Sequence, residues 1–136
     1  MKLLMIYANK FGYKPQIKTL ENFEEKTKEM QFDNTIVAFI HAEKEDEENI
    51  KAVETKLVKN LKWMAKKNNT NKVILHSFAH LSDSKADPEL TKSLFDFAEQ
   101  KLVNAGYETE QTPFGYFLDL HVDAPGYSLA RVFKQF

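Results

Sequence analysis

The feature that most constrains this chain is a pattern of buried strand, amphipathic helix and second buried strand. Thr35-Ile36-Val37-Ala38-Phe39-Ile40-His41 and Lys72-Val73-Ile74-Leu75-His76-Ser77-Phe78 are both near-continuous apolar runs. Such runs suit a sheet covered on both faces. Between them, Ile50, Val53, Leu57, Leu61 and Met64 recur at steps of three and four, so they line one helical face. The acids of residues 43–48 precede this helix at the positive end of its dipole, and Lys66-Lys67 stand at the negative end. Asn68-Asn69-Thr70-Asn71 ends it. A strand–helix–strand unit implies parallel pairing. A second helix begins at Asp87-Pro88, with Asp as N-cap and Pro at the first helical position. It buries Leu90, Leu94, Phe97 or Ala98, and Leu102, and Gly106 suits its C-terminal cap.

The flanks complete a sheet. Lys2 to Ala8 reads as a buried strand. Residues 10–33 are polar and mixed, with Gly12 and Pro15 as breakers; Glu21 to Lys28 suits a short helix or an exposed strand equally. Tyr107 to Thr112 is a strand, interrupted by Pro113-Phe114-Gly115. Tyr116 to Val122 alternates, with Tyr116, Leu118, Leu120 and Val122 expected in the core and Phe117, Asp119, His121 and Asp123 facing solvent. A turn at residues 123–126 and a strand over Ser128 to Phe136 read as a hairpin. The expectation is α/β or α+β: one domain over residues 1–136, a mixed sheet, two main helices chiefly on one side and a C-terminal β-hairpin.

Composition removes several function classes. With no cysteine among 136 residues, disulfides, thiolate metal sites and cysteine nucleophiles are excluded. Nineteen Lys and Arg against 20 Asp and Glu give a net charge of −1, which argues against a strongly basic nucleic-acid binder but leaves room for a local patch. No apolar run is long enough to span a bilayer, and no signal peptide is apparent, so the expectation is a soluble cytoplasmic protein without membrane partners. Four glycines form no phosphate-binding loop.

Histidines near strand ends are the remaining chemistry. His76 and His80 could share a metal, with His121 as a third ligand, but His76 reads more simply as a hydrogen-bonded sheet residue. His80 follows a buried strand, where α/β sheets tend to bind ligands, and could move a proton. Lys51, Lys56, Lys59, Lys62, Lys66, Lys67 and Lys72 gather charge around the first helix, either as a solvated face or as a phosphate contact.

Four segments together resemble the archaeal threonyl-tRNA synthetase editing domain: Met1-Lys2-Leu3-Leu4-Met5-Ile6-Tyr7, His41-Ala42-Glu43 with its acidic stretch, Phe78-Ala79-His80-Leu81-Ser82, and Pro113-Phe114-Gly115-Tyr116. Their order and spacing agree over nearly the whole chain. The resemblance implies a D-aminoacyl-tRNA deacylase-like fold, a homodimer, no cofactor and no metal. It implies hydrolysis of serine misattached to threonine tRNA, in a pocket for the 3′-terminal aminoacyl-adenosine, with the ribose 2′-hydroxyl aiding the attacking water. By resemblance, Ala42, Glu43, Phe78, Ala79, Phe114, Gly115, Tyr116, Phe117 and Leu118 line that pocket, and His80 matches the family histidine.

Two departures stand out. Phe117-Leu118 replaces a Tyr-Lys pair, and Gly126-Tyr127-Ser128-Leu129-Ala130-Arg131 replaces Gly-His-Pro-Leu-Ala-Glu. Arg131 could supply the missing lysine's charge as a second catalytic group, although an arginine cannot act as a base. Two readings follow: an editing deacylase acting in trans to a threonyl-tRNA synthetase, or an inactive homologue that binds the aminoacyl-adenosine end or serves a synthetase as an accessory.

Overall fold

The computed structural model describes residues 1–136 and contains the strand–helix–strand unit twice. The elements are β1 (Lys2–Lys18), β2 (Met30–His41), α1 (Ile50–Lys67), β3 (Lys72–Ser77), α2 (Pro88–Asn104), β4 (Glu108–Gln111), β5 (Tyr116–Asp123) and β6 (Arg131–Gln135). One sheet runs β4-β3-β2-β1-β5, and β6 also pairs with β1. β2, β3 and β4 are parallel neighbours, while β1 is antiparallel to β2, β5 and β6. Two crossovers of one hand, stepping in one direction, place both helices on one face.

That face carries the main core. Leu3 and Met5 of β1, Ile36, Ala38 and Ile40 of β2, and Val73 and Leu75 of β3 alternate toward the helices. They meet Val53, Leu57, Leu61 and Met64 of α1 and Leu94, Ala98 and Leu102 of α2. Each fully buried Leu or Ile contributes about 1.5–3 kcal/mol. The opposite face holds a smaller cluster: Val37, Phe39 and Ile74 with Phe11 and Tyr13, edged by Leu4, Ile6 and Leu118. The helix ends follow the sequence. Asp87 Oδ2 accepts the Leu90 N–H at 3.1 Å, Asn69 takes a left-handed φ of 53° after α1, and Gly106 takes φ 93° after α2. The acidic stretch makes its own 3-10 turn over Lys44–Glu48 and buries Asp46.

Four expectations change. β1 is 17 residues long and runs through both supposed breakers. A Cβ on Gly12 would meet its neighbours at 3.5 Å or more, so glycine leaves the ladder intact there. Pro15 sits at a register shift between β1 and β5 and lies past Tyr13, where the pairing with β2 stops, so little ladder is lost for want of its N–H. Glu21 to Lys28 is neither helix nor strand. The last two strands form no hairpin with each other. β5 pairs with residues 10–18 of β1 and β6 with residues 2–6, so they lie end to end along one edge. The length of β1 provides an edge for both. As an edge strand, β5 leaves Leu120 and Val122 exposed rather than in the core. No helix is long and apolar enough to cross a membrane.

Candidate active site

The parallel strands β2, β3 and β4 end on the same side of the sheet, where open α/β sheets tend to bind ligands. A cleft of about 330 Å³ opens there. The end of β2 supplies Ile40, His41 and Ala42, and the end of β3 supplies Ser77, Ala79 and His80. Lys85, Ala86 and the start of α2 (Pro88 and Thr91) form one wall. Thr19, Leu20 and the segment from Pro113 to Phe117 form another.

Each wall is fixed by hydrogen bonds. His41 is fully buried. Its Nδ1 accepts the Leu81 N–H at 3.0 Å, so its Nε2 carries the proton and donates to the Ser84 carbonyl at 2.6 Å. The Ser82 hydroxyl donates to Glu43 at 2.7 Å, the Lys44 N–H to Ser84 Oγ at 2.9 Å and the Ala86 N–H to the Ala42 carbonyl at 3.0 Å. The loop that carries His80 and Lys85 is thereby tied to the end of β2. On the other wall the Gly115 carbonyl accepts from the Thr19 N–H at 2.7 Å, the Leu20 N–H at 3.3 Å and the Thr19 hydroxyl at 2.9 Å. Gly115 has φ 81°, and a Cβ there would stand 2.9 Å from Leu20 Cβ. Only glycine fits on both counts. Phe114 anchors the same turn edge-on against Phe23 and Phe95, and the Tyr116 hydroxyl accepts the Lys26 N–H at 3.0 Å.

The histidines differ in setting. His76 is buried, hydrogen-bonded to the Thr112 hydroxyl at 2.9 Å and packed against Phe39 and Phe78. Burial, then the nearby His80, lowers its pKa to about 4. His80 is exposed at the cleft, with its ring edge-on to Phe78 at 4.9 Å and its backbone N–H donating to the Phe78 carbonyl at 2.9 Å. His121 sits on β5 opposite Gly12. No three His, Asp or Glu side chains converge on a metal-sized site, so the metal reading built on His76, His80 and His121 has no geometry to rest on.

Of the residues singled out from the sequence, Ala42, Ala79, His80, Phe114, Gly115, Tyr116 and Phe117 share this cleft. Phe78 lies behind it as the support of the His80 ring. Glu43 does not line the cleft. Its carboxylate binds the Met1 ammonium at 2.8 Å and Lys2 at 3.3 Å as well as Ser82. Burial works to raise its pKa, but these hydrogen bonds and the ammonium charge override it and bring it to about 2. Leu118 turns instead to the smaller apolar cluster. Arg131 is exposed at the start of β6, opposite Ile6, and takes no part in the cleft wall. The sequence reading passed over Lys85, Thr19, Leu20 and Thr91. Loop side chains carry no periodicity, so nothing in the sequence signals Lys85.

Comparison with known proteins gives the family. The family model for the archaea-specific editing domain of threonyl-tRNA synthetase matches residues 1–136. The threonine–tRNA ligase of Thermococcus gammatolerans is 31% identical over 135 residues, 97% of this chain and 22% of the ligase. That of Methanosphaera stadtmanae is 29% identical over 134 residues, again 97% and 22%. The chain thus spans about a fifth of the length of these relatives. A solved structure of c-Myc DNA Unwinding Element Binding Protein superposes with a TM-score of 0.69 at 11% identity, covering 100% of this chain and 99% of that one. At that identity it speaks for the fold alone, the mixed α+β arrangement of one six-stranded sheet and two helices. With the family model spanning every residue, the chain belongs to the archaea-specific editing-domain family of threonyl-tRNA synthetase.

Proposed function

We propose that this cleft hydrolyses the ester joining serine, or a related small amino acid, to the 3′-terminal adenosine of threonine tRNA. The observation that carries the proposal is the meeting of Ala42, Ala79, His80 and Phe114 to Phe117 in one cleft at the carboxyl ends of parallel strands. In the proposed reaction water attacks the ester carbonyl carbon. The tetrahedral intermediate then expels the ribose oxygen, which takes up a proton. An imidazole at the cleft wall can hold or pass that proton, and we assign this to His80. The cation that lines the cleft is Lys85, and we assign to it, rather than to Arg131, the charge that favours the developing oxyanion. Phe117 is 57% exposed and offers a ring for the adenine to stack on.

In this reading the domain acts in trans on tRNA charged by a synthetase, in the cytoplasm. A homodimer fits the exposed Leu120, Val122 and Phe133, which share the sheet face of Leu118 and Leu4 by strand alternation.

The test offers seryl- and threonyl-tRNA to the purified chain and to His80→Ala. The expected result is hydrolysis of seryl-tRNA, reduced about 100-fold or more in the variant. A parent rate no faster than spontaneous hydrolysis for any aminoacyl group overturns the proposal.

A further inference from the structure

On the helical face, a second concavity of about 580 Å³ lies across α1 and α2. Its lining includes Lys59, Lys62 and Lys66 of α1 and Lys101 of α2, and no acidic residue. None of these four lysines makes an ion pair. They extend a stripe at positions 51, 55, 59, 62 and 66 of α1, which reads Lys, Thr, Lys, Lys, Lys. Steps of three and four keep that stripe on one side of the helix. The chain as a whole carries −1, so this face is a local positive field on a near-neutral molecule.

Two aromatic rings floor the same groove. Trp63 is 37% exposed, with Lys134 Nζ of β6 5.7 Å from its ring centre. Phe97 has Lys101 Nζ at 5.5 Å. Cations held over rings in an acid-free groove call for an anionic partner of some length.

The groove and the cleft are separate concavities that both draw on α2. Thr91 lines the cleft, while Phe97 and Lys101 line the groove. At 1.5 Å per residue they lie about 9 and 15 Å farther along the helix. Lys59 to Lys66 spans about 10 Å of α1, a length over which a nucleic-acid duplex presents about six phosphates. We infer that this groove binds the phosphate backbone of an RNA stem, namely the acceptor stem of the tRNA whose 3′ end enters the cleft. The inference rests on the proposed function for the identity of that RNA. It accounts for how a near-neutral domain holds a polyanion: the cleft takes the terminal nucleoside, and the lysine groove takes the stem.

The test is a binding measurement that needs no catalysis. Uncharged threonine tRNA is titrated against the full chain, against a Lys59→Gln, Lys62→Gln, Lys66→Gln triple variant and against the corresponding triple Arg variant, between 50 and 200 mM salt. Losing three phosphate contacts should reduce the slope of log K against log salt by about 2.7, so about 40-fold of the parent's salt-dependent loss disappears. The Arg variant should bind like the parent, which separates charge from folding. Trp63 is the only tryptophan, so its emission should change when tRNA binds the parent. A short CCA-ended oligonucleotide should bind parent and Gln variant alike and leave that emission unchanged. Equal tRNA affinity and salt slope for parent and Gln variant overturn the inference, whether or not the chain is a deacylase; the groove would then serve another anionic partner, such as an acidic protein. Parent binding with the expected slope but without ester hydrolysis sinks the proposed reaction and leaves the stem contact standing.

Discussion

His76 makes the stability of this domain depend on pH in a window that can be worked out in advance. Its ring lies inside the sheet between Phe39 and Phe78, with the Thr112 hydroxyl at 2.9 Å. Burial, with a smaller contribution from His80, brings its pKa from 6.5 to about 4. The folded state therefore keeps the ring neutral, while the unfolded chain takes up a proton below pH 6.5. Where the unfolded state binds more protons, stability rises with pH. The stabilisation is complete above pH 6.5 and is lost as pH falls through about 4. At 1.36 kcal/mol per pH unit the full loss is about 3 kcal/mol, a large share of the roughly 5–15 kcal/mol that holds a domain folded. Urea unfolding at half-unit steps from pH 7.5 to 4, on the parent and on His76→Gln, isolates the contribution. The stability difference between them should change by about 1.4 kcal/mol per pH unit below 6.5 and level off near 4. A difference that stays constant across this range would refute the reasoning, because it would mean that the ring protonates as easily in the fold as out of it.

Two further outcomes follow from the walls of the cleft. Gly115→Ala forces a side chain into φ 81° and sets its Cβ against Leu20, so it should cost about 1–3 kcal/mol. Thermal melting should show a drop of several degrees, and seryl-tRNA hydrolysis should fall with it because Thr19 and Leu20 lose their acceptor geometry. Glu43→Gln removes one of the two carboxylates that face the Met1 ammonium; Asp46 stays at 3.0 Å, so the cost should fall below the roughly 3–5 kcal/mol of leaving a buried charge unpaired. A carboxylate with a lowered pKa stabilises above 4.5 and loses that effect toward 2, so acid titration should show parent and variant converging across that window.

The repeated parallel unit was legible because its residues obey two periods. The spacing of Val53, Leu57, Leu61 and Met64 fixed α1, and the apolar runs at Thr35 and Lys72 fixed two strands. Asp87 and Gly106 marked the ends of α2 for reasons of backbone chemistry alone. The extension of β1 through Gly12 and Pro15 was not legible, because neither residue announces whether a neighbouring strand needs its N–H. The hairpin expectation failed for a related reason. A turn between two strand-like segments says nothing about a longer edge elsewhere that can pair with both. Within the cleft, His80 and the turn at Phe114-Gly115 stood out from the sequence. Lys85 did not, since a loop side chain points where the tertiary bonds of His41, Ser82 and Ser84 send it. The direction of Leu118 likewise depends on which strand β5 joins.

The shared edge of β1 also bears on how the domain folds. Residues 2–6 pair with 131–135, and residues 10–18 with 116–123, so the first strand made waits for the last. Pairings across nearly the whole chain slow folding, because loop closure must precede any gain from contact. During synthesis the β2-α1-β3-α2-β4 half can collapse early, while that edge of β1 stays unpaired, residues 10–18 until residue 123 and residues 2–6 until residue 135 have been made. An open strand edge is a template for pairing with other chains. Aggregation of this domain should therefore be decided in that interval rather than in the finished fold.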